Sequence, residues 1–187
     1  MSAVSQLFTP ISYLRIKHPV KKQFDVKYPF IASSLITFFL AVSPFKIQIF
    51  MNDGLIDAIS GLIQILTGFF IASLAAVATF QKDSMDDPIS GDKAILETTI
   101  KGVNQPLELT RRRFLCYLFG YLALLAIVMY FVSVLANLTA DNIKQIVPFV
   151  YHNYIKWPFI FIYLFAISNL MTTTLLGLHY MTDRIHR

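Results

Sequence analysis

The chain holds one cysteine, Cys116, among its 187 residues. A single thiol excludes an intramolecular disulfide framework and a cysteine-based structural zinc site. Its place inside an apolar stretch reads as a small packing residue. Charge is also sparse: Asp, Glu, Lys and Arg make up 14% of the chain, against about 25% in an ordinary soluble domain. The sequence has no Walker or Rossmann glycine pattern, no His-Glu-x-x-His, no Gly-x-Ser-x-Gly and no carboxylate pair placed for acid and base work. It also lacks the arginine-rich helix of a voltage sensor. These absences assign no catalytic residue and imply no cofactor or bound metal. The chain is not expected to be an enzyme.

What is abundant is apolar surface, with 56% hydrophobic residues. Four stretches, about 28–50, 55–80, 114–136 and 157–181, are candidates to cross a bilayer, since a span needs about 20 apolar residues for a core of about 30 Å. The first reaches full length only if Lys46 lifts its ammonium into the headgroups. Ala41-Val42-Ser43 resembles a signal-peptide cleavage site, but Pro44 follows it and a long basic stretch precedes the apolar run, so this span reads as retained. The expected architecture is all-α: a polytopic four-helix transmembrane bundle forming one domain over residues 1–187.

The cations orient it. Of 16 Lys and Arg residues, thirteen fall in residues 1–27, 81–113 and the end of the chain, and three in the alternate stretches. Positive residues stay on the cytoplasmic side during insertion. Both termini and the 81–113 loop are therefore expected to be cytoplasmic, in a multi-pass protein of a bacterial inner membrane. This topology absorbs the net charge of +5, so direct nucleic-acid binding is not implied. Lys21, Lys22, Arg111, Arg112 and Arg113 are placed to touch an anionic inner leaflet or a cytosolic protein partner.

Within the loop, Ser90 to Lys101 is expected to form a short helix with Ser90 as cap and Gly102 as stop. Pro106 is expected to open the third helix, with Gln105 as cap and Glu108 completing a capping box. An acidic first half faces a basic second half, which fits a hairpin that pairs with itself and also a docking surface. On the opposite side, Asp53 is a natural N-cap for the second span. The outer loop from Asn137 to Lys156 leads to an aromatic belt, with Pro158 near the first turn of the fourth span.

Two constellations lie inside the spans. Ala58, Gly61, Gly68, Ala72 and Ala75 follow steps of three and four along the second span, broken only by Ile65 where a small residue would fall. Such a small-residue groove lets another helix approach closely, within one subunit or at the axis of a homo-oligomer. Beside it run Asp57, Ser60, Gln64 and Thr67, and the fourth span carries Asn169 and Thr172 on one face. Polar side chains avoid lipid, so Gln64 and Asn169 are expected to bond each other, or the two stripes to line a hydrated path. Asp57 also suits the positive end of its helix dipole. His179, Asp183 and His186 have the spacing of metal ligands on a helix but read as a solvated helix end.

Four spans with both termini inside, polar stripes and a charged inner loop resemble the small membrane subunits of bacterial anti-phage systems, the Kiwa membrane component among them. The resemblance is one of layout across the whole chain. It implies a non-enzymatic oligomeric membrane sensor and scaffold that anchors a cytosolic effector. The competing expectation is an oligomeric pore that dissipates ion gradients.

Overall fold

A computed structural model describes residues 8–45, 47–51, 53–79, 85–89, 94–100 and 103–184. Four α-helices dominate it: α1 (Tyr28–Val42), α2 (Leu55–Thr79), α3 (Arg111–Ile146) and α4 (Phe149–His179). All four, α1 together with the turn before it, are long and apolar enough to cross a membrane. Lys46, Ser90, Gly102 and His186 lie outside the described residues.

The third and fourth helices are longer than their apolar stretches. At 36 residues, α3 measures about 54 Å at 1.5 Å per residue, and it is followed after Val147 and Pro148 by α4. The expected outer loop is thus mostly helix, and Pro158 lies inside α4 rather than at its start. Hydropathy marks only the segment that fits a lipid core, and these helices continue past it. The continuation of α3 is held near its start, where Ala140 is buried and the Met51 N–H donates to Asn137 Oδ1 at 3.2 Å, while residues 141–146 are exposed.

The helices pack in the order α2, α3, α4, α1, and α1 and α2 share no extended interface. The bundle is therefore an open row with α2 and α1 at its edges. At its centre α3 and α4 approach closely at Gly177, where a Cβ would stand 2.9 Å from a methyl of Leu118. At the start of α2, Asp53 is not the cap. It sits at φ 61°, and its own N–H donates to Asp57 Oδ2 at 3.3 Å. Gly54 turns the chain into the helix, in a corner where a Cβ would meet three carbonyl oxygens at 3.0 Å.

The loop between α2 and α3 departs from the all-α expectation. Residues Ile95–Ile100 (β1) and Val103–Glu108 (β2) form an antiparallel hairpin, with Leu96 opposite Leu107 and Glu97 opposite Pro106. The β-branched run Thr98, Thr99, Ile100, Val103 suits a pleated strand, and Ala94 and Leu96 point inward while Glu97 points out, a period of two. Local cap-and-stop residues gave way to this pattern. Pro106 is tolerated because β2 is an edge strand. Thr110, not Gln105, caps α3, its hydroxyl accepting from the Arg113 N–H at 3.4 Å.

Arg112 joins α2 to α3. Its guanidinium donates to both carboxylate oxygens of Asp86 at 2.9 and 3.0 Å, and it lies within 3.5 Å of the Val77 and Ala78 carbonyls. There it meets the negative end of the α2 dipole. The self-pairing of the loop is thus realised at this ion pair. The hydrogen bond from Arg112 holds the Asp86 carboxyl below its ordinary 3.8. A lowered folded pKa stabilises the folded state above the unfolded value, and that contribution is lost as pH falls through the folded value. Acidification from about pH 7 to about pH 3 is expected to loosen this junction, and Asp86→Asn to remove that part of the pH dependence. Thermal unfolding in detergent across this range reads both effects.

Candidate functional site

The densest polar cluster forms where the amino-terminal arm meets α1, α3 and α4. Its origin is Pro29. In an α-helix the Asp25 carbonyl would accept from the N–H of residue 29, and in a π-helix the Phe24 carbonyl would do so, but proline has no N–H. The chain passes through a π-helical turn, Gln23–Lys27, in which the Tyr28 N–H bonds Gln23 O. The two carbonyls left over are satisfied from α4: Asn169 Nδ2 donates to Asp25 O at 2.7 Å, and Thr172 Oγ1 to Phe24 O at 2.9 Å. Both α4 residues are thus committed to the start of α1.

The side chains close a second ring of contacts. Lys21, one turn before Asp25, is buried and bonds its carboxylate. The Tyr13 hydroxyl donates to the other carboxylate oxygen at 3.1 Å, and its ring lies 4.1 Å beneath the Lys21 ammonium. Tyr13 also stacks on Tyr121 of α3, with centroids 4.9 Å apart, and the Tyr121 hydroxyl donates to Asn169 Oδ1 at 2.8 Å. Burial, with the Asp25 charge beside it, pushes the Tyr13 phenol above its ordinary 10.0. It stays a protonated donor. Buried ions are tolerated only when paired and hydrogen-bonded, and Lys21 and Asp25 meet both conditions.

The arm then reaches the hairpin. A short 3-10 helix, Thr9–Arg15, packs on α3 near Gly120 through Pro10. Beyond it, Lys17 pairs with Ile95 through both backbone bonds, at 2.8 and 3.1 Å, and its ammonium meets Glu97 at 2.5 Å. Below this bridge Ile16, Met85, Ile89, Ala94, Leu96 and Leu109 are buried. The hairpin is therefore a folded element docked on the arm. It lies at the same end of the bundle as the carboxyl end of α4, where the rings of Phe114 and Tyr180 lie 5.1 Å apart.

Several expectations change against this geometry. Lys21 is no surface contact, whereas Lys22 and Arg113 are exposed. Arg112 pairs with Asp86, and Arg111 is half-buried at the start of α3. Asn169 and Thr172 do not meet Gln64. Of the α2 polar line, Ser60 is buried, Thr67 is half-buried and bonds its own helix at Ile63 O, and Asp57 and Gln64 are exposed. The two stripes therefore line no common path within one chain. The small residues Ala58, Gly61, Gly68, Ala72 and Ala75 are all exposed, and nothing lies within 4 Å of where a Cβ would sit on Gly61 or Gly68. They are not the face packed on α3, because α2 turns Ile56, Ile63, Phe70 and Val77 toward it. Among the described residues no three His, Cys, Asp or Glu side chains gather as metal ligands.

Sequence reasoning missed Tyr13, Asp25 and Tyr121. A proline directly after a charged turn was the available signal, since it announces an orphan carbonyl that some polar side chain must satisfy. Comparison with protein-family models, curated proteins and solved structures finds no match in any of the three.

Removing one member of the cluster leaves the others unsatisfied. Lys21→Met is expected to cost about 3–5 kcal/mol, because Asp25 stays buried without its cation, while Lys21→Met with Asp25→Leu should recover most of that. Asn169→Leu should cost about 1–3 kcal/mol through the stranded Asp25 carbonyl. Equilibrium unfolding in detergent measures all three.

Proposed function

We infer that this chain is a non-enzymatic, multi-pass scaffold and sensor of a bacterial inner membrane, with both termini and the hairpin on the cytoplasmic side. One observation carries the reading: the arm is built into two elements at once. Through Tyr13, Lys21 and Asp25 it belongs to the α1–α3–α4 junction, and four residues earlier, at Lys17, it is an edge of the hairpin. A tilt of α1 against α4 that breaks the Asn169 and Thr172 bonds would release Asp25, then the arm, then the hairpin. That is a two-state element biased by the bilayer at one end and by a cytosolic partner at the other. The charge bias of the loops supports the orientation. Assignment to antiviral defence follows the layout resemblance to Kiwa-type subunits.

Homo-oligomerisation supplies the missing neighbour of α2. Its outer face presents Gly61, Gln64 and Gly68 within two turns, all exposed and with no partner among the described residues. In lipid an amide seeks a polar contact, and small residues allow a second helix close enough to provide one. A second copy offers the same amide across a two-fold axis. The same exposed amide is what favours the pore as a second reading, lined by Gln64 and Thr67 of several copies and not by Asn169 or Thr172.

Two experiments test these readings. Lys17→Glu should detach the hairpin, seen as faster proteolysis within residues 94–109 and loss of partner retention, and adding Glu97→Lys should restore both. Unchanged retention in Lys17→Glu would count against the scaffold. Gln64→Leu with Gly68→Ile should lower the native mass in detergent, each amide contact contributing about 0.6 to 2 kcal/mol; a monomeric parent protein would exclude this interface and the pore together.

A further inference from the structure

Below the polar cluster the arm does not fill the space beside the helices. A cavity of about 860 Å³ remains between residues 14–26, α3 and α4, within the size range of small-molecule sites. Its two sides differ in chemistry. The arm contributes Lys17, Lys21 and Lys22 against one lining carboxylate, Asp25, while the helices contribute Tyr121 and Asn169 of the polar cluster and, beyond them, Leu125, Phe165 and Ala166. Lys21 is committed to Asp25 and Lys17 to Glu97. Lys22 is exposed and pairs with no carboxylate among the described residues. A cationic mouth above a half-buried apolar wall matches an anion attached to a hydrocarbon chain.

We propose that this cavity is a specific site for an anionic phospholipid. The phosphate sits at Lys22, with Lys17 beside it, and one acyl chain lies along Leu125, Phe165 and Ala166. The site deepens the sensor reading and rests on the helices being membrane spans. It places the lipid against the residues whose pairing links α1 to the hairpin. An anion at the mouth competes with Glu97 for Lys17 and with Asp25 for Lys21, so lipid occupancy and hairpin docking share the same ammonium groups. A neutral headgroup offers no such competition, and inorganic phosphate lacks the chain that the apolar wall accommodates.

The test uses the full chain purified in a neutral detergent, titrated with a short-chain phosphatidylglycerol, with the matching phosphatidylcholine and with inorganic phosphate, and read by native mass spectrometry. Phosphatidylglycerol should be retained about tenfold more strongly than phosphatidylcholine, a difference of about 1.4 kcal/mol. Lys22→Glu should bring the two lipids to parity. Ala166→Trp, which fills the wall without altering charge, should weaken both. Equal retention of the two lipids by the parent protein would overturn the site, as would inorganic phosphate binding as well as phosphatidylglycerol, or Lys22→Glu without effect. Carbonate extraction of native membranes separates this from the reading beneath it: a chain released by carbonate is no multi-pass protein, whereas a retained chain that ignores headgroup charge lacks only the lipid site.

Discussion

A backbone carbonyl that cannot find an N–H is the constraint on which the arrangement depends. Pro29 withholds the donor that Asp25 would use in a regular helix, and in a low-dielectric surrounding a stranded carbonyl is costly. Asn169 and Thr172 supply the missing donors, which fixes where α1 starts along α4. Once that point is set, Asp25 faces the space above α3, Lys21 must neutralise it, and Tyr13 closes over the pair. The arm is thereby positioned to meet the hairpin. One missing hydrogen thus propagates from the first helix to the hairpin.

The architecture is a row of three helix interfaces, α2 on α3, α3 on α4 and α4 on α1. Between α3 and α4 the contacts are close and the polar groups paired, as at Gly177 against Leu118 and at Ser133 with Tyr163, 2.8 Å apart. At one edge α1 is attached through its polar start, and at the other α2 is attached through Ile56, Ile63, Phe70 and Val77 and secured at its end by Arg112. The edges leave broad apolar surfaces, among them Phe38 and Phe39 on α1 and Ile65 and Phe69 on α2. A lipid surrounding satisfies such surfaces without further protein. The exposed Gln64 interrupts that apolar surface on α2.

Helix number and approximate position were legible from hydropathy, because burial in lipid imposes a length that any apolar run displays. The self-pairing of the inner loop was legible in its charge division and is realised by Asp86 and Arg112. The helix ends were not, since α3 and α4 continue past their apolar stretches through residues that hydropathy does not mark. The hairpin was misread for a related reason: Ser90 and Gly102 read as helix boundaries, whereas Ile95–Ile100 pairs with Val103–Glu108 and, nearly eighty residues away, with Lys17. Which faces the polar stripes turn toward depends on the order of helices in the row, and periodicity within one helix carries no information about that. Gln64 and Asn169 looked like partners because both are buried amides by composition; α2 and α4 lie on opposite sides of α3.

The Asp25–Asn169 bond joins residues 144 apart in sequence, and the Phe24–Thr172 bond residues 148 apart. At about 5–20 residues per second a ribosome needs roughly 7 to 30 s to travel between them. The first helix therefore leaves the ribosome with its starting turn unfinished and a charged pair awaiting burial, and only the last helix can complete it. A chain cut short anywhere before α4 lacks the Asn169 and Thr172 donors for the start of α1. Completion of the first helix's starting turn is in this way a record that synthesis has reached the last helix.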